Sequence, residues 1–277
     1  MSDSLQYTLV DGIKCYSPEV ASAYTDYPDS GFDLTDENAE SSFWVSSRNR
    51  LFKSIVQRHL LPTGKTKFLE IGCGTGDFIQ QIAKNDHLEI TGSEIYLKGL
   101  VYAKKNLPSV DFVQFDVTQG KIGEQFHIIT AFDVIEHIEN DDAALSNISE
   151  MLKKDGVLII SVPQHMFLWS KLDEIVKHKR RYSRRELVAK LKANDFDITF
   201  ATSFLFTLFP LMLLSRLFDR GGDRSPSDER ALEKRVKFSG VLNTIFDFLM
   251  RIDEGLIRLG ASLPFGGTLV VVARKRQ

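Results

Sequence analysis

The densest chemical signal in the chain is Phe68-Leu-Glu-Ile-Gly-Cys-Gly-Thr-Gly-Asp77, an apolar run that ends in glycines at 72, 74 and 76. Glycines at this spacing let the backbone take positive φ and let a ligand lie against the main chain with no Cβ in the way. Carboxylates recur at the ends of the next apolar runs: Glu94 after ITGS, Asp116 after FVQF and Asp133 after IITAF. Acids there can accept hydrogen bonds from hydroxyls or an amino group, and in doubly wound sheets the carboxyl ends of the strands are where cofactors bind. Glu70 lies inside the first run, where an unpartnered carboxylate is costly. It either meets an ion pair or serves a ligand.

The glycine spacing discriminates between cofactors. A dinucleotide fold reads G-x-G-x-x-G, whereas here the third glycine falls one position early, Asp77 stands in its place, and no phosphate-loop lysine follows. The pattern E-x-G-x-G-x-G resembles the first motif of the class I S-adenosylmethionine (SAM)-dependent methyltransferases, and Ala131-Phe-Asp-Val-Ile-Glu-His-Ile138 resembles their fourth. The resemblance covers about residues 43–202 and a final strand at 269–273. It implies SAM as cofactor, with Glu94 on the ribose diol, Asp116 on the adenine amino group and Glu70 near the methionine amino group. Gly72, Cys73, Gly74, Gly76, Ile95, Val117, Phe132 and Asp133 are the further contacts it implies.

A second cluster runs Val162-Pro-Gln-His-Met-Phe-Leu-Trp-Ser170, then Asp173, then His178-Lys-Arg-Arg-Tyr-Ser183. It is similar to a small-molecule subgroup of these enzymes, the ubiquinone-biosynthesis O-methyltransferases. In that fold the segment after the fifth strand faces the methyl group. His165 has the ordinary pKa best suited to general base work. His178, Asp173 and Asp133 are the alternatives, with His137 behind them. Arg180, Arg181, Arg184 and Arg185 read either as a solvated helix end or as a clamp for an anionic group on the substrate. No metal is expected.

The implied activity is in-line methyl transfer to a small, partly apolar or lipid-like acceptor; oxygen, nitrogen and carbon acceptors stay open. The alternatives are a catalytically silent SAM-binding or membrane-docking partner protein and, against the glycine spacing, a nicotinamide-dependent oxidoreductase. Nucleic acid is not an expected partner. Formal net charge is −2, which provides no basic field for a polyanion, and Asp133-Val-Ile-Glu136 stands where amino-methylating nucleic-acid enzymes carry Asn-Pro-Pro-Tyr or Asp-Pro-Pro-Tyr.

The elements that must position these residues can be read from periodicity. Apolar runs at 67–71, 88–92, 110–115, 127–132 and 157–162 predict buried parallel strands, with further strands at about 196–202 and 269–273. Helical patterns lie at 43–61, 77–85, 96–106, 141–153 and 183–193, the last opened by the capping box Ser183-x-x-Glu186. The expected fold is a doubly wound, Rossmann-like, seven-stranded α/β sheet with a helical insertion before the last strand. The expected organisation is an arm and lid helix at 1–62, a SAM-binding core at 63–202, a helical insertion at 203–263 and the final strand at 264–277.

Residues 1–40 read as an irregular arm with turn signals at Pro18, Pro28 and Gly31, and 219–230 as a polar linker. The run Phe204–Leu214 is too apolar for a solvated helix and too short to cross a bilayer. It must be buried in a cap, in a homodimer interface, or at a membrane surface through 203–218, where Arg216, Arg220 and Arg224 flank it. Helix 241–259 is expected to turn Asp247, Arg251, Asp253, Glu254 and Arg258 to water. Two cysteines, Cys15 and Cys73, and a polar Met1–Asp11 segment point to a cytoplasmic protein.

Overall fold

The computed structural model describes residues 6–23, 42–219 and 239–276; the turn signals at Pro28 and Gly31 and the linker from residue 220 onward lie outside them. Two short strands, β1 (Thr8–Val10) and β2 (Ile13–Cys15), form an antiparallel hairpin in the arm expected to be irregular. Ile13 and Cys15 point into the core while Lys14 points out. A three-residue alternation is too short to be read as a strand from sequence. The helix α1 (Pro18–Ala23) follows.

Seven longer strands match the apolar runs: β3 (Thr66–Ile71), β4 (Leu88–Glu94), β5 (Asp111–Gln114), β6 (Phe126–Phe132), β7 (Leu152–Pro163), β8 (Phe196–Phe204) and β9 (Thr268–Lys275). The sheet order is β1-β2-β5-β4-β3-β6-β7-β9-β8, so the expected seven-stranded sheet has nine strands. The hairpin adds the extra two by pairing β2 parallel to β5, and the Gln114 side chain bonds both the N–H and the carbonyl of Ser17 at 3.0 Å. Strands β3 to β7 pair in parallel, while β9 runs antiparallel to both β7 and β8.

From β3 the chain steps to β4 and β5 on one side and to β6 and β7 on the other. The carboxyl ends of β3 and β6 therefore part, and a crevice opens between the loops that leave them. Helices cover both faces. On one, α5 (Asp141–Met151) and α7 (Arg184–Ala193) pack on Leu69, Ile71, Ile129 and Leu158. On the other, α2 (Phe43–Gln57), α3 (Asp77–Ile82) and the later helix 240–258 pack on Phe68, Ile128 and Ile159. The short α4 (Leu97–Asn106) follows β4. Local chemistry holds the helix starts: Asn140 accepts from Ala143 N–H, and Ser183 and Glu186 form the expected capping box.

After β7 come α6 (Lys171–Ile175) and α7, and between β8 and β9 lie α8 (Phe209–Asp219) and α9 (Gly240–Arg258). The apolar run at 203–218 is not one helix. Ser203 and Phe204 finish β8 against Leu269 and Thr268, Leu205 takes a positive φ of 64°, and the helix begins only at Phe209.

Candidate active site

Beyond β3 the chain turns through Gly72, Gly74 and Gly76, at φ of 69°, 54° and 88°, into α3. The first two glycines answer different needs. A Cβ on Gly72 would sit 2.4 Å from Val134 Cγ2, so the turn after β6 requires its absence, whereas a Cβ on Gly74 would meet nothing within 4 Å. Glu94, at the end of β4, accepts from Gly74 N–H at 3.0 Å and Ile95 N–H at 2.8 Å. Burial pushes its carboxyl up and those backbone donors pull it back.

Two neighbouring carboxylates keep a buried oxygen without a hydrogen-bond partner. Asp116 Oδ1 accepts from the N–H and hydroxyl of Thr118 at 2.8 and 2.7 Å, leaving Oδ2 unbonded. Glu70 Oε2 is likewise unbonded. Burial pushes the Glu70 carboxyl up to about 8, against the pull of Arg48 and with a further push from Asp77 and Glu94. The large majority of buried polar groups in folded proteins have a partner.

Asp133, just past β6, has a positive φ of 57°. Its carboxylate accepts from Arg48 Nη1 at 2.8 Å and from the Ser161 hydroxyl at 2.9 Å. Arg48 belongs to α2, whose Phe52 stacks on Phe132 with ring centroids 3.8 Å apart. Trp44, on the same helix, stacks on Phe204. All these groups except Gly76, Ser161, Phe52 and Phe204 line a cavity of about 870 Å³. Around α8 and α9 its lining includes Leu208, Leu211, Met212 and Phe246, together with Ser215 and Arg216.

The acceptor candidates divide. Asp173 is fully buried and accepts from His178 Nδ1 (2.8 Å), from Arg181 Nε and Nη2 (2.7 and 3.0 Å) and from Ser170. Burial pushes its carboxyl up, but the bonds from His178 and Arg181 outweigh this and hold it below the ordinary carboxylate range. An anion so firmly held positions its neighbours and takes no proton. His178 lines the cavity, and its Nε2 lies 3.7 Å from Glu136 Oε1. His165 stands apart: at φ of 66° its ring stacks on Phe167 and tilts against Phe209, and it is not among the cavity-lining residues. Burial lowers its pKa, with Arg181 adding to the effect.

Sequence reasoning missed Glu136. It is fully buried, neither carboxyl oxygen has a hydrogen bond, and burial, followed by Asp133, pushes its pKa well above the ordinary range. It, His137 and His178 bring one donor atom each within 4.8 Å of one another. Its only sequence signal is a carboxylate beside a histidine in Asp133-Val-Ile-Glu-His137. The arginine stretch is neither a solvated end nor a free clamp at three of its positions. Arg180 pairs with Asp141, Arg181 with Asp173, and Arg184 with the Leu263 carbonyl.

Residues 42–200 match a family described as a methyltransferase domain. The chain belongs to that family. Among relatives of this methyltransferase domain, the ubiquinone biosynthesis O-methyltransferase of Rickettsia canadensis is 24% identical over 115 residues, 40% of this chain and 48% of that protein. The malonyl-[acyl-carrier protein] O-methyltransferase of Bacillus cereus is 23% identical over 164 residues, 53% of this chain and 61% of that one. The matches thus span about half to three fifths of those relatives' lengths. The fold is shared with Haemonchus contortus phosphoethanolamine N-methyltransferase 2, solved with SAM, at a TM-score of 0.57 and 19% identity, covering 91% of this chain and 58% of that one. It is also shared with the [4+2]-cyclase SpnF, at a TM-score of 0.54 and 19% identity, covering 86% and 85%.

SAM is the cofactor of this family, and the donor set suits it. The methyltransferase domain offers an open glycine turn, a carboxylate on that turn, and two buried carboxylate oxygens in want of donors. SAM carries the matching hydroxyl, amino and ammonium groups.

Proposed function

We propose that the chain transfers a methyl group from SAM to a small, partly apolar acceptor. The observation that carries this reading is the pair of unpartnered buried oxygens, Glu70 Oε2 and Asp116 Oδ2, on residues lining one cavity that Leu208, Leu211, Met212 and Phe246 also line. Glu70 would hold the methionine ammonium, Glu94 the ribose diol and Asp116 the adenine amino group. Gly72, Gly74 and Gly76 would admit the cofactor to the main chain, with Cys73, Ile95, Val117, Phe132 and Asp133 around it. Glu94 already accepts three backbone bonds, from Gly74, Ile95 and Tyr96, but an ionised carboxylate has about four lone-pair sites.

When bound, SAM supplies an activated methyl carbon for in-line displacement. The protein's part is to orient the acceptor and exclude water, which can contribute roughly 7–11 kcal/mol. His178 is the base best supported by its setting. Asp173 fixes Nδ1 as the donor nitrogen and so leaves the Nε2 lone pair to take a proton from an acceptor hydroxyl. Arg48 holds Asp133 at the cofactor side. The lid helix α2, the 163–182 segment and the α8–α9 block of the 203–263 insertion would close the acceptor pocket. Their shared lining of the cavity supports this.

Isotope-labelled SAM added to extracts, followed by mass spectrometry of lipid, small-molecule and nucleic-acid fractions, tests the reading. Label is expected in the lipid or apolar small-molecule fraction, and label in nucleic acid alone would overturn it. The second reading, a SAM-binding protein without methyl transfer, has support in a fold shared with a cyclase. Tight binding of S-adenosylhomocysteine with no label in any fraction would favour it.

A further inference from the structure

Helix α9 departs in part from the expectation drawn from its sequence: Arg251 and Arg258 are exposed as expected, whereas Asp253 and Glu254 are buried. Its acids turn inward. Asp253 is fully buried and accepts from the backbone N–H groups of Phe206 (2.7 Å) and Thr207 (3.2 Å) at the entrance to α8. Asp247 and Glu254 both accept from Arg50 of α2, at 2.6 and 2.7 Å. Asn243 accepts from Phe43 N–H at 2.8 Å, at the start of α2.

The outer face is apolar. Val241, Ile245, Phe248, Ile252 and Leu256 recur every three or four residues along this 19-residue helix, and Leu259, its C-cap, continues the spacing. All six are exposed, Val241 to 73%, Phe248 to 64% and Leu259 to 87%. Leu211, Leu213 and Leu214 of α8 are exposed as well. Exposed apolar residues recurring along one face of a helix mark an interaction site.

We propose that the α8–α9 face docks on an anionic lipid bilayer, with α9 lying in the plane of the interface. Charge selects this occupant. Of the five charged residues on α9, only Arg251 and Arg258 remain exposed. Each is engaged by the acid four residues earlier, Arg251 to Asp247 at 3.0 Å and Arg258 to Glu254 at 3.7 Å. A guanidinium has five N–H donors, so both retain donors for lipid phosphates. A long arginine beside an apolar stripe can lay its stem along the acyl boundary and its head among the phosphates. A second copy of the chain would present the same two cations and no exposed acid from α9 to meet them. No helix among the described residues is long and apolar enough to cross a membrane, so α9 lies on the bilayer.

Leu211, Met212 and Phe246 of the docking helices also line the cavity. An apolar acceptor could thus pass between bilayer and cavity. That consequence rests on the proposed function, whereas the docking itself does not.

The test is flotation of the full chain with vesicles of phosphatidylcholine alone or mixed with phosphatidylglycerol, alongside calorimetry with S-adenosylhomocysteine. The chain should float with the anionic vesicles and far less with the neutral ones, and added salt should weaken the association. The double variant Phe248→Glu, Ile252→Glu should lose at least tenfold in partitioning while its melting temperature and S-adenosylhomocysteine affinity hold. Arg251→Gln with Arg258→Gln should lose several-fold on anionic vesicles only. Flotation without S-adenosylhomocysteine binding would leave docking standing and remove the proposed function. A chain that stays lipid-free on anionic vesicles overturns docking. So does a dimer in analytical ultracentrifugation that Phe248→Glu splits while neither form floats, which would assign the face to a second copy.

Discussion

The glycine-turn site and the outer face of α9 are unfinished in opposite ways. Around the glycine turn, polar atoms lack partners: Glu70 Oε2, Asp116 Oδ2 and both carboxyl oxygens of Glu136 are buried and unbonded. On α9 the polar atoms are paired inward with Arg50, Phe206 and Thr207, and apolar surface is left over. A buried polar atom without a partner calls for a ligand with a complementary donor, because its desolvation cost is otherwise uncompensated. Exposed apolar surface calls for an apolar phase and is indifferent to the identity of the molecule that supplies it. The first is therefore specific, and the second is general.

The largest expected effect tests whether the glycine turn is a packing necessity. Gly72→Ala puts a Cβ into Val134 at positive φ and should cost about 2–4 kcal/mol in urea unfolding. Gly74→Ala, with open space around it, should cost about 1 kcal/mol and act mainly on S-adenosylhomocysteine affinity. Equal stabilities for the two variants would erase the distinction between them. Arg50→Ala should cost about 2–3 kcal/mol in the same assay, since Glu254 is then left buried without its main partner. A loss below about 0.5 kcal/mol would mean that α9 is held by its apolar contacts alone.

At the glycine-turn site, Glu94→Ala should weaken S-adenosylhomocysteine binding by roughly 1.5–3 kcal/mol in calorimetry, the range for hydrogen bonds to a charged group; NAD should give no heat. Unchanged affinity would remove Glu94 from the site. The raised pKa of Glu70 gives a test with a sign. The carboxyl is mostly protonated at pH 7 in the folded chain and ionised in the unfolded chain. Its contribution to stability is thus full below its unfolded value, near 4.5, and is lost as pH rises through about 8. Binding of the cofactor ammonium at pH 7 should release a proton, seen as a binding enthalpy that varies with buffer ionisation heat. Glu70→Gln should abolish that variation. The smallest effect is expected on the outer face of α9: Phe248→Ser should change stability by less than about 0.5 kcal/mol, because a side chain already in water loses little.

What could be read from the sequence was what depends on neighbours in the chain. Three glycines in five positions, Ser183 with Glu186, and β-branched runs such as Leu269–Ala273 act over a few residues, and the structure forms a tight turn, a capped helix and a buried strand there. Asp116 and Glu94 were legible because each ends or follows an apolar run. Tertiary structure decided the rest. His165 and His178 look alike in sequence, yet Phe167 and Phe209 enclose one ring while Asp173 holds the other on the cavity wall. Glu136 becomes unusual only once burial removes its water. On α9 the arginines Arg251 and Arg258 meet water as expected but the acids do not, because amphipathic periodicity gives the angle between charged and apolar residues but not which of them meets the protein. That choice was made by Arg50, about two hundred residues earlier, and by the backbone N–H groups at the entrance to α8, which need the acids more than water does.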